Sequence, residues 1–270
     1  MTAVADPYAE TAPSRGIRFL AGLNPLAKIA APLPAMVALV FVRDLATPLA
    51  FLVVGYAVLL VGTRLNARMR GTLALAIPAA ILVVGVGFSL WTDPARVEQT
   101  TAVLQLGGWT LYGGALSTGF ATALRLGAIV TLALIGGLTT TGPDLVRSLV
   151  QQLRVPYRVG YTALAAFRFV PRFGHELEII RQAHRVRGAH GGRGPFAAVA
   201  RWGGYVVPLL AGAIRHAERV ALAMDARAFG AHPTRTERHL VPVRVRDLVF
   251  VAAFWVVTAA LLVSSAWRLA

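Results

Sequence analysis

The chain has 270 residues, 56% of them hydrophobic and only 14% charged, yet its formal net charge is +15. A disordered chain needs low hydrophobicity, a disulfide scaffold needs cysteines, of which there are none, and a soluble nucleic-acid binder would not carry so much apolar sequence. The balance points to a polytopic membrane protein whose few charges sit in particular places.

Asp6 and Glu10 precede any cation at the amino terminus, and no basic stretch runs into a short apolar core. That is not the pattern of a secretory signal peptide, and residues 1–15 read as a disordered cytoplasmic tail. Five segments are long enough to cross a bilayer core, which takes about 20 helical residues. The first is Leu23–Val42, with Lys28 placed to snorkel and Pro32 and Pro34 making it kinked or re-entrant. Leu45–Gly62 follows, then Leu73–Trp91, Ala115–Leu138 with Arg125 inside it, and the uncharged Leu248–Trp267. Between the last two lies a different kind of sequence. Residues 139–246 hold 17 Arg against 6 Asp and Glu, a net of +11, and leave +4 for the other 162 residues.

Cytoplasmic loops concentrate Lys and Arg. Arg15, Arg18 and Lys28 lie at the start of the first span, and Arg64, Arg68 and Arg70 lie between spans two and three. The segment joining spans three and four is nearly balanced, with Asp93, Arg96 and Glu98, and Arg268 is the one dissenting charge at the far end. The expected topology has a cytoplasmic amino terminus and a cytoplasmic basic region. The expected fold is all-α: about five transmembrane helices with a cytoplasmic helical domain inserted before the last span. Its parts are a tail 1–22, a membrane domain 23–138, a basic domain 139–246 and a last helix 247–270.

Within the basic region, Leu145, Val146, Leu149, Val150 and Leu153 recur at helical spacing, and Pro156 stops the run. Val159–Phe167 is a short apolar stretch before Arg168 and Pro171, after which Phe173, Leu177, Ile180, His184 and Arg187 mark one face of an amphipathic helix. Glu176 and Glu178 offer partners to Arg181 and Arg185. Residues 188–196 are rich in glycine and read as a loop. A second amphipathic helix carries Leu209, Leu210, Ala213, Ile214, Ala217, Val220, Ala221, Met224 and Ala228, with Gly230 expected as its cap. Both helices run an arginine into glycine, Arg187 and Arg227, forty residues apart.

No G-x-x-x-x-G-K-[ST] is present, so ATP-driven work needs a partner. The six histidines lack metal-ligand spacing, no G-x-S-x-G elbow occurs, and the apolar spans hold no acidic residue for a two-metal phosphotransferase. Arg125 either snorkels or packs inside the membrane domain. The "RGAHGGRG" run reads as a connector rather than an RNA-binding segment. Arginines on such helices form a solvated or anionic-lipid face, or they dock into a soluble partner through a rigid five-donor fork. The residues alone leave both open.

The chain resembles the transmembrane T component of energy-coupling factor (ECF) transporters, the EcfT/CbiQ family. The likeness runs from "LNPLAKI" through "TTTGPDLVRSLVQQLRVPYRVGYTALAAFRFVP" and "IIRQAHRVRGA" to "VPLLAGAIRHAERVALAMDARAFG". The family's two short Ala-Arg-Gly-type motifs fall on Val186-Arg187-Gly188 and Ala226-Arg227-Ala228, so that Ala228 stands where the family usually has Gly. The resemblance implies a non-catalytic scaffold in the plasma membrane of a bacterium or archaeon, taking part in vitamin or metal-ion import. Its partners would be two cytoplasmic ABC ATPase subunits, which bind the ATP and Mg, and one small membrane S component, which binds the substrate. It needs no cofactor of its own and no nucleic acid. Arg187, Gly188, Ala226, Arg227 and Ala228 would dock the ATPases, and Leu209, Ala213, Ala217 and Val220 would slide against the S component. The alternatives are a permease of a conventional ABC importer, whose E-A-A…G motif is missing here, and an integral membrane enzyme.

Overall fold

Eleven apolar side chains from widely separated stretches of chain, among them Leu20, Leu39, Phe51, Leu132, Ile135 and Phe254, share one core. The structure is a computed structural model and describes residues 19–63, 66–92, 101–106, 109–188, 195–233 and 235–269. These divide into two compact units, one of residues 149–240 and the other of residues 19–148 with 241–269. Arg15, Arg18, Arg64, Asp93, Arg96, Glu98, residues 189–194 and the side chain of Arg268 lie outside the described residues.

The core belongs to the second of these units. A 3₁₀ turn, Phe19–Gly22, leads into α1 (Pro25–Ala30) and α2 (Leu33–Phe41), followed by α3 (Ala46–Gly62), α4 (Ala67–Trp91), α5 (Gly113–Thr139) and α9 (Val245–Leu269). The first expected span is therefore two short helices. Pro32 and Pro34 have no N–H to continue the ladder of α1, so the chain turns between Ala30 and Leu33. Three helices, α4, α5 and α9, are long and apolar enough to cross a membrane, whereas α1–α2 and the 17-residue α3 are shorter. At 1.5 Å per residue α3 spans about 26 Å.

Small residues let α4 and α5 approach closely. A Cβ added at Gly119 would strike Ser89 Oγ and lie 2.7 Å from Gly85 O, the small-residue packing favoured where apolar burial cannot drive helices together. Ser89, Thr131 and Thr258 return their hydroxyls to carbonyls four residues back, which satisfies them without a polar partner. Arg125, near the middle of α5, is half-buried, and its Nε has no hydrogen-bond partner among the described residues.

Four expectations change in this unit. The helix expected from Leu73 starts at Ala67, so Arg68 and Arg70 ride on its first turn. Between α4 and α5 stands a two-stranded antiparallel hairpin, β1 (Ala102–Leu106) and β2 (Trp109–Tyr112), the one departure from an all-helical fold among the described residues. The last helix begins at Val245 and brings Asp247 into its first turn, where it is 1% exposed. Lys28 does not snorkel: it is 2% exposed, and its Nζ donates to Thr139 O at 2.7 Å.

The other unit is led into by α6 (Gly142–Gln152) and built from α7 (Tyr157–Val186) and α8 (Pro195–Asp225). Each long helix carries an internal proline, Pro171 in α7 and Pro208 in α8. α7 runs on through Pro171, and Pro195 and Phe196, expected in the loop, open α8. Proline removes one ladder bond but leaves the remaining turns intact when packing holds them.

Candidate functional site

Helices α7 and α8 pair antiparallel through rings at matching levels. Phe169 stacks on His216 with centroids 4.4 Å apart, and Phe173 packs edge-on to Phe169. Toward the end of α7, His184 meets Tyr205, and the Arg181 guanidinium lies over Trp202 at 5.1 Å, a cation–π contact. At the start of α7, Tyr157 and Tyr161 hold Phe229, which follows the end of α8.

This pairing puts the two arginines at opposite ends of the hairpin. Arg187 closes α7 beside the start of α8, and Arg227 closes α8 beside the start of α7. By helical rise the two stand at most about 40 Å apart. Each is followed by a left-handed residue whose N–H donates to a carbonyl three residues back. Arg187 caps α7, just after its last residue Val186, with φ −76° and ψ 1°, and Gly188 follows at φ 68°. Gly188 N donates to Arg185 O at 3.1 Å. At the other end Ala228 N donates to Asp225 O at 2.9 Å and Phe229 N to Met224 O at 3.0 Å, with Ala228 at φ 55°. That is a Schellman turn, in which the left-handed residue follows the cap. The left-handed cap is thus Ala228 and not Gly230, which sits two residues on at φ 91°. Arg187, Gly188, Ala226, Arg227 and Ala228 are all exposed.

The Arg227 turn is braced by residues that sequence reasoning passed over. Arg158 Nη2 donates to Gly230 O at 2.7 Å, Tyr157 donates to His232 O at 2.7 Å and Tyr161 to Glu237 Oε2 at 2.9 Å. Arg235 lies over Tyr161 at 4.2 Å. "PYRVGY" after Pro156 offers one signal, two aromatics four residues apart on the same helix face as an arginine. Their partners lie over seventy residues away and carry no motif.

Of the residues expected to meet a membrane partner, Leu209 and Ala213 line the groove facing α7, beside Phe169, Phe173 and Gly212. Val220 is half-buried, and Ala217 is exposed. The open apolar face of α8 runs instead through Val207, Leu210 and Ile214, which are 72%, 57% and 59% exposed. One edge of the groove is cationic, with Arg172 on α7 near Arg215 and Arg219 on α8, and Glu176 is the carboxylate among them. Burial, then the Arg172 and Arg219 cations, hold the His216 imidazole below its usual pKa, with Glu176 opposing them.

Comparison with known proteins places this arrangement. The family model described as cobalt transport protein, CbiQ, matches residues 16–238. The chain is 29% identical over 194 residues to a putative ABC transporter ATP-binding protein of Bifidobacterium longum, covering 68% of this chain and 24% of that protein. It is 30% identical over 168 residues to the energy-coupling factor transporter transmembrane protein EcfT of Bacillus selenitireducens, covering 59% of this chain and 63% of that one. EcfT of Brevibacillus brevis is 28% identical over 225 residues, covering 75% of this chain and 83% of that one. The matched region thus spans about a quarter of the first of these relatives and just under two thirds of the second.

Proposed function

The chain belongs to the CbiQ cobalt transport protein family, and from that premise we propose that it is the energy-coupling transmembrane component of an ATP-driven importer. One observation carries this reading. Two helices of one chain each end in an arginine followed by a left-handed residue, at opposite ends of a hairpin, which is what two equivalent partner subunits require. The exposed guanidiniums offer a fixed fork of donors to carboxylates or carbonyls in a groove. The left-handed residue after each one bends the chain away and clears the approach. In Bifidobacterium longum a stretch similar to this chain lies within a protein named as an ABC transporter ATP-binding protein, which supports ATPase subunits as the partners.

In this reading Arg187 and Arg227 each enter one ATPase, and closure of the pair on ATP moves the two hairpin ends relative to each other. An S component carrying the vitamin or metal ion rests on the open apolar face of α8, on Val207, Leu210, Ile214 and Ala217. Apolar packing of this kind has no directional locks and tolerates sliding. The amino terminus and the 149–240 unit lie in the cytoplasm, ATP and Mg stay with the ATPases, and the chain itself catalyses nothing.

Breaking a desolvated charge–partner contact costs about 2–5 kcal/mol. Arg187→Glu and Arg227→Glu are therefore expected to lose co-purification with the ATPases, or to uncouple hydrolysis from uptake in proteoliposomes. Normal assembly and transport by both variants would refute the docking assignment.

A further inference from the structure

The last long apolar helix before the 149–240 unit, α5, ends at Thr139, and the chain returns to the membrane-helix unit at residue 241, ahead of α9. Both crossings are fastened to α1, a helix of six residues. On the outgoing side, Lys28 Nζ donates to Thr139 O, a terminal carbonyl of α5, which is where a cation is favoured by the helix dipole. On the returning side, Asn24 N donates to Asp247 Oδ1 at 2.8 Å, and Asn24 Nδ2 reaches Val241 O at 3.3 Å and Pro242 O at 3.5 Å. Asp247 Oδ2 accepts from Arg244 N at 2.6 Å, and Arg246 donates to Gly22 O. Asn24 also caps α1 through Leu26 N. Lys28, Asn24 and Asp247 are each at most 3% exposed.

A buried ammonium and a buried carboxylate are costly unless paired and hydrogen-bonded. A hydrophobic helix could have closed this part of the core at less electrostatic cost. What the polar set adds is directional attachment at two points that are adjacent here and 108 residues apart in the chain. We propose that α1 is the fulcrum of the transporter, with Lys28 and Asn24 as positioning residues that pin both crossings of the chain. Force arriving from the 149–240 unit then moves α5 and α9 together instead of being lost in slack connections. The inference rests on the coupling role proposed above, but not on where the ATPases dock.

The test uses the complete transporter, co-expressed with its ABC ATPases and S component and reconstituted in proteoliposomes. Lys28→Met keeps the length of the side chain and removes its donor. Asn24→Ala removes the two long-range side-chain bonds together with the cap on Leu26 N, and leaves the backbone bond to Asp247. Both variants are expected to co-purify with the ATPases. ATP hydrolysis should stay within about twofold while uptake per assembled complex falls at least about tenfold, a split that a loss of folded protein does not produce. Lys28→Arg, which retains charge and donors, should keep more uptake than Lys28→Met. If Lys28→Met fails to assemble, Asn24→Ala decides by the same ratio. Unchanged uptake per complex, or equal losses of hydrolysis and uptake, would overturn the fulcrum. Failure of the docking reading shows elsewhere, as intact assembly of Arg187→Glu and Arg227→Glu.

Discussion

At Ala228 an L-amino acid occupies a backbone conformation, φ 55°, in which Cβ crowds the following carbonyl at a cost of about 1–2 kcal/mol. Gly188 takes the equivalent place after Arg187 at φ 68° and carries no such strain. Ala228→Gly relieves the strain and gives back part of the gain through the greater freedom of glycine in the unfolded chain. The expected net effect is a stabilisation of about 0.5–1 kcal/mol, read as a higher midpoint in thermal unfolding of the purified chain. An unchanged or lower midpoint would mean that the turn relaxes at no cost. The two arginine-bearing turns were legible because each ends an amphipathic run in a short motif. Lys28 was not, because its acceptor is a backbone carbonyl 111 residues away, and a lysine near the end of an apolar run looks the same whether it points to water or into the core. Asp247 was hidden likewise, since it stood just outside the apolar window that defined the last span.

Between α7 and α8 the pairing depends on a neutral ring. His216 stacks on Phe169 with Arg172 and Arg219 nearby and Glu176 as the opposing charge. Glu218 stands two residues along α8 and is exposed. Because the folded-state pKa of His216 lies below its unfolded value of about 6.5, the unfolded chain takes up the proton first. The contribution of this residue is complete above that pH and is lost as pH falls through the folded value. Amide exchange in the facing turns of α7 and α8 is therefore expected to quicken between pH 7.5 and pH 5.5, and His216→Gln should flatten that dependence. An unaltered dependence in the variant would place the titrating group elsewhere. The amphipathic runs that announced these helices came from period alone. Their full lengths did not, because the amphipathic pattern of α7 begins only beyond Pro171, whereas the helix itself starts at Tyr157 and runs through that proline. The hairpin between α4 and α5 had a local signal, Gly107-Gly108 between two short runs rich in apolar residues, masked by the search for spans.

For the molecule as a whole, the uneven distribution of arginine predicts an orientation that labelling can test. The chain has no cysteine, so single cysteines report without a background. Ala231→Cys in the arginine-rich unit should react with a membrane-impermeant maleimide only from the cytoplasmic side, and Thr101→Cys ahead of β1 only from outside. The reverse pattern would invert the topology. Hydropathy and charge conveyed the all-helical membrane character because bulk solvent preference acts on every residue of a span. The fastening of α1 to both chain crossings was invisible, being a matter of which backbone atoms meet after folding. Pro171 and Pro208 carry a mechanical consequence for the hairpin that joins those crossings. Each deprives a carbonyl one turn earlier, Phe167 O or Gly204 O, of its helical donor, and a ladder with a missing rung bends most easily there. A hairpin with a soft joint in each arm is a spring and not a rigid rod. It can store part of a displacement imposed at one end, so that displacement would reach the other end reduced and delayed.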